Sequence, residues 1–226
     1  MEHKIIEIQG IKYFVPISLQ YDFIYRIMIN ENRIYEIDLI LALMKFISSD
    51  SIVVDVGGHI GNHSIQFAKK AKKVFAFEPI EQNYKLFEKN IVLNNIKNVE
   101  LFKIAAADEQ CKLKIDNSKL KLLSSSGGIS LLKDTNGFIK AFTIDEVLLP
   151  LLNNKVSVMK FDVEEMEYQA ILGSLKIIKK FHPVIYTELK RARLGSEQKL
   201  KDLQSILFPL GYKNHYTKAF AGDIWK

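Results

Sequence analysis

The chain is poor in the residues that staple or disorder a protein. Cys111 is its one cysteine, so no internal disulfide can form. A disulfide-stapled secreted domain and a cysteine-rich zinc module are both excluded. Five prolines, eleven glycines and 26% charged residues in 226 positions exclude collagen-like, low-complexity and disordered chains. Long apolar runs are missing as well. A bilayer span needs about 20 apolar residues, and the nearest approach, Ile37 to Ile47, is interrupted by Asp38 and Lys45. Met1-Glu2-His3-Lys4 leads into alternating residues rather than an apolar signal core. These absences set the expectation of a soluble, cytoplasmic protein without a membrane span.

Arginine is scarce too. Net charge +6 and a pI of 9.1 permit an anionic partner such as nucleic acid, a phosphorylated substrate or a charged glycan. Yet of 32 basic residues only Arg26, Arg33, Arg191 and Arg193 carry the guanidinium fork that base and phosphate readers favour. The lysine pairs Lys69-Lys70, Lys72-Lys73 and Lys179-Lys180 fall near expected helix C-termini, where they complement the helix dipole. An ordinary solvated surface and a functional basic patch both remain open on charge alone.

What the chain does have is a core. Hydrophobic residues make up 48% of it, enough for one α/β domain at this length. Short β-branched runs recur at Ile52–Val56, Val74–Phe77, Val99–Ala105, Val156–Phe161 and Val184–Tyr186. Continuous apolar runs of this kind suit parallel strands buried on both faces. Helical periodicity lies between them: Tyr84, Phe87 and Ile91 form one stripe, and Met166, Ala170, Leu175 and Ile178 another. The alternation implies right-handed crossovers and a doubly wound, mostly parallel sheet. Ahead of it, Ile5–Ile8, a Gln9-Gly10 turn and Tyr13–Val15 spell a β-hairpin, followed by a helix over Tyr35 to Ile47. A long stretch between strands three and four holds Lys112–Ile115, the small-polar loop Ser124–Ser130 and Phe138–Phe142, and insertions of this kind often carry substrate contacts. Thr143 and Glu146 have capping-box spacing. A last helix runs from Glu197 to Leu207. We expect one domain over 1–226, a cap region at 1–48 and a catalytic core at 49–226.

The segment richest in chemistry is Val53-Val-Asp-Val-Gly-Gly-His-Ile-Gly-Asn-His-Ser64. A strand ends, glycines let a ligand approach the backbone, and a helix opens with free N–H donors. The second strand ends in Glu78, where a carboxylate can accept both hydroxyls of an adenosine ribose. The glycines do not fit G-x-G-x-x-G in any register, which argues against a pyrophosphate dinucleotide. Asp55 ahead of them suits a cationic or zwitterionic ligand head instead, such as the methionine end of S-adenosylmethionine (SAM).

The ordered set of motifs resembles the FkbM-type branch of the class I SAM-dependent methyltransferases. It comprises Asp55–Ser64, Phe77-Glu-Pro79, Asn90-Ile-Val-Leu-Asn94, Thr143-Ile-Asp145, Lys160-Phe-Asp-Val-Glu164 with Glu167, Gly173, and Pro183–Glu188. Two departures stand out. Glu165 takes the place where that family has a glycine that permits close packing or a positive φ angle. Gly58 and His59 stand where Ala and Asn are common. The resemblance implies a Rossmann-like fold and SAM contacts at Asp55, Gly57, Gly58, Gly61, Asn62, Glu78 and Pro79. It puts the adenine near Ala106 and Ala107, with Asp108 close by, and Asp162 facing the reacting sulfonium.

An alcohol acceptor must lose its proton as the new bond forms, and Asp162, Glu164, Glu188 and His63 are candidate bases. Lys160 and Asp162 share a strand face by period two, and a lysine in a buried strand is costly unless paired. A Lys160–Asp162–Glu188 cluster therefore reads either as catalytic or as a structural ion pair. Asp162, Glu164 and Glu167 could instead hold a divalent cation, although acidic residues also gather at helix N-termini for the dipole. His59 and His63 have i, i+4 spacing but no third zinc ligand nearby, and His182 reads as structural. Tyr13, Tyr21, Tyr25 and Tyr35 divide between lidding a pocket and filling the core. The leading expectation is an O-methyltransferase acting on a sugar hydroxyl in a glycan or glycosylated metabolite. An RNA ribose 2′-O-methyltransferase and a non-catalytic binding module are the alternatives, and homo-oligomer formation is left open.

Overall fold

The computed structural model describes residues 3–16, 22–120, 127–189, 195–217 and 222–226. Its elements run β1 (His3–Ile8), β2 (Ile11–Pro16), α1 (Phe23–Asn30), α2 (Ile37–Met44), β3 (Ile52–Val56), α3 (Asn62–Ala68), β4 (Lys73–Phe77), α4 (Glu81–Leu93) and β5 (Val99–Phe102). They continue with β6 (Ala105–Ala106), β7 (Cys111–Ile115), α5 (Asn117–Leu120), β8 (Leu131–Lys133), β9 (Ile139–Phe142), α6 (Ile144–Leu148), β10 (Val156–Phe161), α7 (Glu167–Leu172), α8 (Leu175–Phe181), β11 (Val184–Glu188), α9 (Ser196–Leu207), β12 (Asn214–Thr217) and β13 (Gly222–Trp225).

The frame is a seven-stranded sheet in the order β12-β13-β11-β10-β3-β4-β5. Strands β5, β4, β3, β10 and β11 are mutually parallel, and β13 runs antiparallel to both β11 and β12. This is the doubly wound α/β fold the apolar runs imply. Both faces are covered, so side chains alternate between two cores. Val53, Val74, Val158 and Tyr186 face the hairpin, α1, α2 and α3. Val54, Val56, Phe75, Met159, Phe161 and Ile185 face α6, α7, α8 and α9.

Two sequence boundaries shift. The run Val99–Ala105 is not one strand: β5 joins the main sheet, while β6 starts a separate four-stranded sheet in the order β6-β9-β7-β8. That second sheet is the long insertion. The stripe from Met166 to Ile178 is two helices, because the chain turns at Gly173 and Ser174 before α8 begins. Both carboxylate oxygens of Asp145 then accept from the first amides of α8, Lys176 N at 2.8 Å and Ile177 N at 2.9 Å. Thr143 Oγ1 accepts from Glu146 N at 3.0 Å, the cap its spacing announced.

The hairpin is docked by asparagines. On α4, Asn90 accepts from Phe14 N and donates to Ile60 O, at 2.8 and 2.9 Å. One turn later Asn94 accepts from Lys12 N at 2.8 Å and donates to Lys12 O at 2.7 Å. The i, i+4 pair thus presents side-chain amides to β2 as a neighbouring strand would. Helix α2 begins later than Tyr35, since Glu36 sits in the left-handed region at φ 55°. His182 is structural, stacked on Tyr212 with ring centroids 4.4 Å apart and its Nε2 2.8 Å from Leu210 O. Among the described residues no helix is long and apolar enough to cross a membrane.

Candidate active site

The site grows out of strand register. Ala76, Asp55, Lys160 and Tyr186 are successive partners across β4, β3, β10 and β11, so their side chains share one face. Two residues further along each strand come Glu78, Gly57, Asp162 and Glu188, again on that face by the period of two. This second row stands at the carboxyl ends of four parallel strands, where open α/β sheets bind ligands. It lines a cavity of about 320 Å³ together with Gly58, His59, Asn62, Pro79, Ala106 and Glu164.

The first row supports the second. Lys160 is 2% exposed and Asp55 fully buried. The ammonium lies 3.1 Å from Asp55 Oδ1, 3.3 Å from Asp162 Oδ2 and 3.3 Å from Gly57 O. Burial by itself would lower the lysine's pKa, but Asp55 and Asp162, with Glu36 beyond, outweigh it and raise it. Lys160 is therefore a fixed cation and not a base. Asp55 Oδ2 accepts from Ser64 Oγ at 2.6 Å. The cation that Asp55 meets is thus Lys160, and Asp55 does not line the cavity. Gly57 has φ 87°, and a Cβ there would lie 1.8 Å from Asp162 O. Only glycine allows the ends of β3 and β10 to close on each other in this way.

Glu78 is anchored as a ligand-binding carboxylate would be. Its Oε2 accepts from His59 N and its Oε1 from Ile80 N, both at 2.8 Å. Burial pushes its pKa up to about 7, against these backbone donors and a hydrogen bond with Asn83. His59 holds φ 51° to bring its amide there, a left-handed position where Asn is the commoner choice. A Cβ on Gly58 would meet the Phe87 ring at 2.7 Å, so alanine is shut out there.

The other expected residues divide. Asn62, Pro79 and Ala106 line the cavity, whereas Gly61, Ala107 and Asp108 do not; Asp108 pairs with Lys133 at 3.1 Å. Oxygens of Asp162, Glu164 and Glu188 lie within 4.8 Å of one another. Glu167 is not the third member of that group. Its Oε1 turns back to Val163 N and Glu165 N, at 3.3 and 3.2 Å, where it caps the turn leading into α7. Burial raises its pKa to about 7. Glu165 itself has φ 84°, the conformation a glycine would supply. His59 and His63 line the cavity as neutral rings, since burial lowers both to about 4. His63 Nε2 stands 3.4 Å from Glu36 Oε2.

Of the candidate lid tyrosines, Tyr13 and Tyr25 are fully buried in the core and Tyr35 lines the cavity. Tyr21 lies outside the described residues, as do Ser124 to Ser126, but the loop's following Gly127, Gly128 and Ile129 reach the cavity. Phe23, Ile24 and Glu36 were not singled out by sequence. The available signal was Asp22, whose carboxylate caps α1 by accepting from Ile24 N at 2.9 Å.

The comparisons with known proteins agree with this geometry. The family described as "Methyltransferase FkbM domain" matches residues 55–214. An FkbM methyltransferase structure from Methylobacillus flagellatus KT superposes with a TM-score of 0.54 at 17% identity, covering 79% of this chain and 44% of that one. A putative methyltransferase from Streptococcus mutans, solved with S-adenosylhomocysteine (SAH), gives 0.51 at 14% identity over 84% and 94%. These likenesses establish the fold. An uncharacterized RNA methyltransferase of Streptococcus mutans serotype c is 33% identical over 82 residues, 33% of this chain and 18% of that protein. This chain spans well under half of the curated relatives it matches. The family match covers most of the chain, including every strand-end residue of the cavity floor, and on that ground the protein belongs to the FkbM methyltransferase family.

Proposed function

We propose that the protein is a SAM-dependent O-methyltransferase whose acceptor is a sugar hydroxyl in a glycan or glycosylated metabolite. The observation that carries the reading is the row Glu78, Gly57, Asp162 and Glu188 at the carboxyl ends of four parallel strands, with the Glu78 carboxylate held by two backbone amides. When bound, SAM supplies an electrophilic methyl group. Glu78 would accept the ribose hydroxyls, and Pro79 and Ala106 would flank the adenine. Gly57 lets the ligand pass close to the backbone. Asp162, fixed by Lys160, would take the proton that the acceptor hydroxyl must lose, with S-adenosylhomocysteine as the leaving group, and Glu188 is the second carboxylate within reach. Alignment supplies most of the acceleration, of order 7–11 kcal/mol, and the base a further factor of about 10²–10⁴.

A ribose 2′-hydroxyl of RNA is the second reading. Its support is the overall charge of +6 together with Lys160 and Asp162 at 3.3 Å. Asp162, Glu164 and Glu188 are also a donor set suited to a hard divalent cation.

Calorimetry with SAM and SAH tests the base of the proposal. We expect micromolar binding that Glu78→Ala weakens at least tenfold; no binding of either ligand would leave a non-catalytic module as the better account. An acceptor screen follows, sugars before RNA. Methylation of RNA alone, with steep salt dependence, would replace the sugar reading. A chelator arm decides the cation, with an unchanged rate expected.

A further inference from the structure

The cavity has a second wall that the cofactor reading does not use. Phe23 lines it, yet the side chain is 47% exposed. It is the first residue of α1, and its ring meets Tyr35 edge-on, with centroids 6.1 Å apart and planes at 83°. Edge-to-face contact fixes the ring's orientation. The helix beneath is firmly held: Asp22 caps it, Tyr25 is fully buried and Met28 1% exposed, and the Tyr25 ring lies 6.3 Å from His59 in the glycine turn. Phe23 is thus an apolar face fixed at the rim of a polar cavity.

Its location favours the acceptor over the cofactor. The Tyr35 phenol is hydrogen-bonded with Glu36 and lies in the field of Glu188 and Asp162. The adenosine end is marked by Glu78, Pro79 and Ala106 on other strands. The cap also precedes the family match, which begins at Asp55. Phe23 and Tyr35 therefore lie outside the matched family domain.

We propose that Phe23, oriented by Tyr35, is a specificity-determining residue that stacks on the apolar C–H face of a pyranose ring and turns a hydroxyl of that ring toward Asp162. The inference rests on the methyltransferase reading and names its acceptor class. A pyranose fits this wall because it combines an apolar face for Phe23 with a rim of hydroxyls for Tyr35, Glu36 and Glu188. A ring face pressed on an aromatic excludes water, and the hydroxyl rim fixes the rotation.

Saturation-transfer NMR on the full chain, saturated with SAH, tests the proposal without a known acceptor. The probes are methyl hexopyranosides, methyl 6-deoxyhexopyranosides and a short oligouridylate. We expect transfer to the ring C–H protons of at least one pyranoside in the wild type and in Phe23→Tyr. In Phe23→Ala it should fall at least fivefold, with SAH affinity within twofold of wild type. Equal transfer in Phe23→Ala overturns the proposal. So does transfer to no pyranoside, or to the oligouridylate alone. Absence of SAH binding by the wild type, measured first, would sink the methyltransferase reading itself and is thereby distinguished from failure of the stacking wall.

Discussion

Glu165 shows how one residue can carry a conformation meant for another. Its φ of 84° costs a β-carbon-bearing residue about 1–3 kcal/mol. One contact that compensates is a half-exposed approach to Lys199 at 3.6 Å, worth well under about 1 kcal/mol. Glycine would relieve the strain at an entropic cost of about 0.5–1 kcal/mol. Glu165→Gly is therefore expected to stabilise the protein by about 1 kcal/mol in urea unfolding; a loss of that size would mean the carboxylate does more than the Lys199 contact accounts for. Glu36, His59 and Glu164, at φ 55°, 51° and 47°, are non-glycine residues with positive φ that do line the cavity, and Glu165 follows the last of them. Four of the eight such residues described thus lie at the cavity or beside it, and Gln9, Asn32, Asn95 and His182 lie elsewhere.

At the scale of elements, the hairpin and the glycine turn depend on one another through Asn90. It is fully buried and bonded to both Phe14 N and Ile60 O. Asn90→Ala removes the partner of buried Ile60 O and of half-buried Phe14 N, at a cost of about 1–3 kcal/mol. Hydrogen exchange should quicken at Phe14 well before Lys12, which Asn94 still holds; equal protection at both amides would remove Asn90 from this role. Elements were legible in the sequence where burial was two-sided. Runs such as Ile52–Val56 can only be inner strands, and Lys160 beside Asp162 announced a paired lysine. Strands β12 and β13 were not legible, because Asn214–Thr217 and Gly222–Trp225 carry little apolar alternation and gain their place only by pairing. Helix α1 was missed because eight residues form too short a window for periodicity. The Glu167 assignment failed for a related reason: spacing along a turn does not say which carboxylate bends back to cap it, and Glu188, distant in sequence, reaches Asp162 from the next strand.

For the whole molecule, four buried groups bear on the response to pH between about 4 and 7. Glu78 and Glu167, lifted from 4.5 to about 7, keep protons that the unfolded chain has released. Their contribution is full below about pH 4.5 and is lost as pH rises through about 7. His59 and His63, lowered from 6.5 to about 4, act oppositely, losing theirs as pH falls from 6.5 through about 4. Between 4.5 and 6.5 the two pairs offset each other. Urea midpoints should therefore vary little across that window, fall from there through about pH 7 and then level off, and Glu167→Gln should flatten the fall; a steep rise between 5 and 6.5 would contradict the assignment. Sheet order has a consequence for assembly. Strand β13 fills the slot between β11 and β12, both of which precede it. Among the described residues β12 pairs only with β13, so its place in the sheet depends on β13 docking on β11. Trp225, the chain's single tryptophan, is fully buried in β13 and donates to Thr187 Oγ1 on β11 at 3.0 Å. Its fluorescence is therefore a built-in reporter on the docking of β13 against β11 rather than an average over the fold.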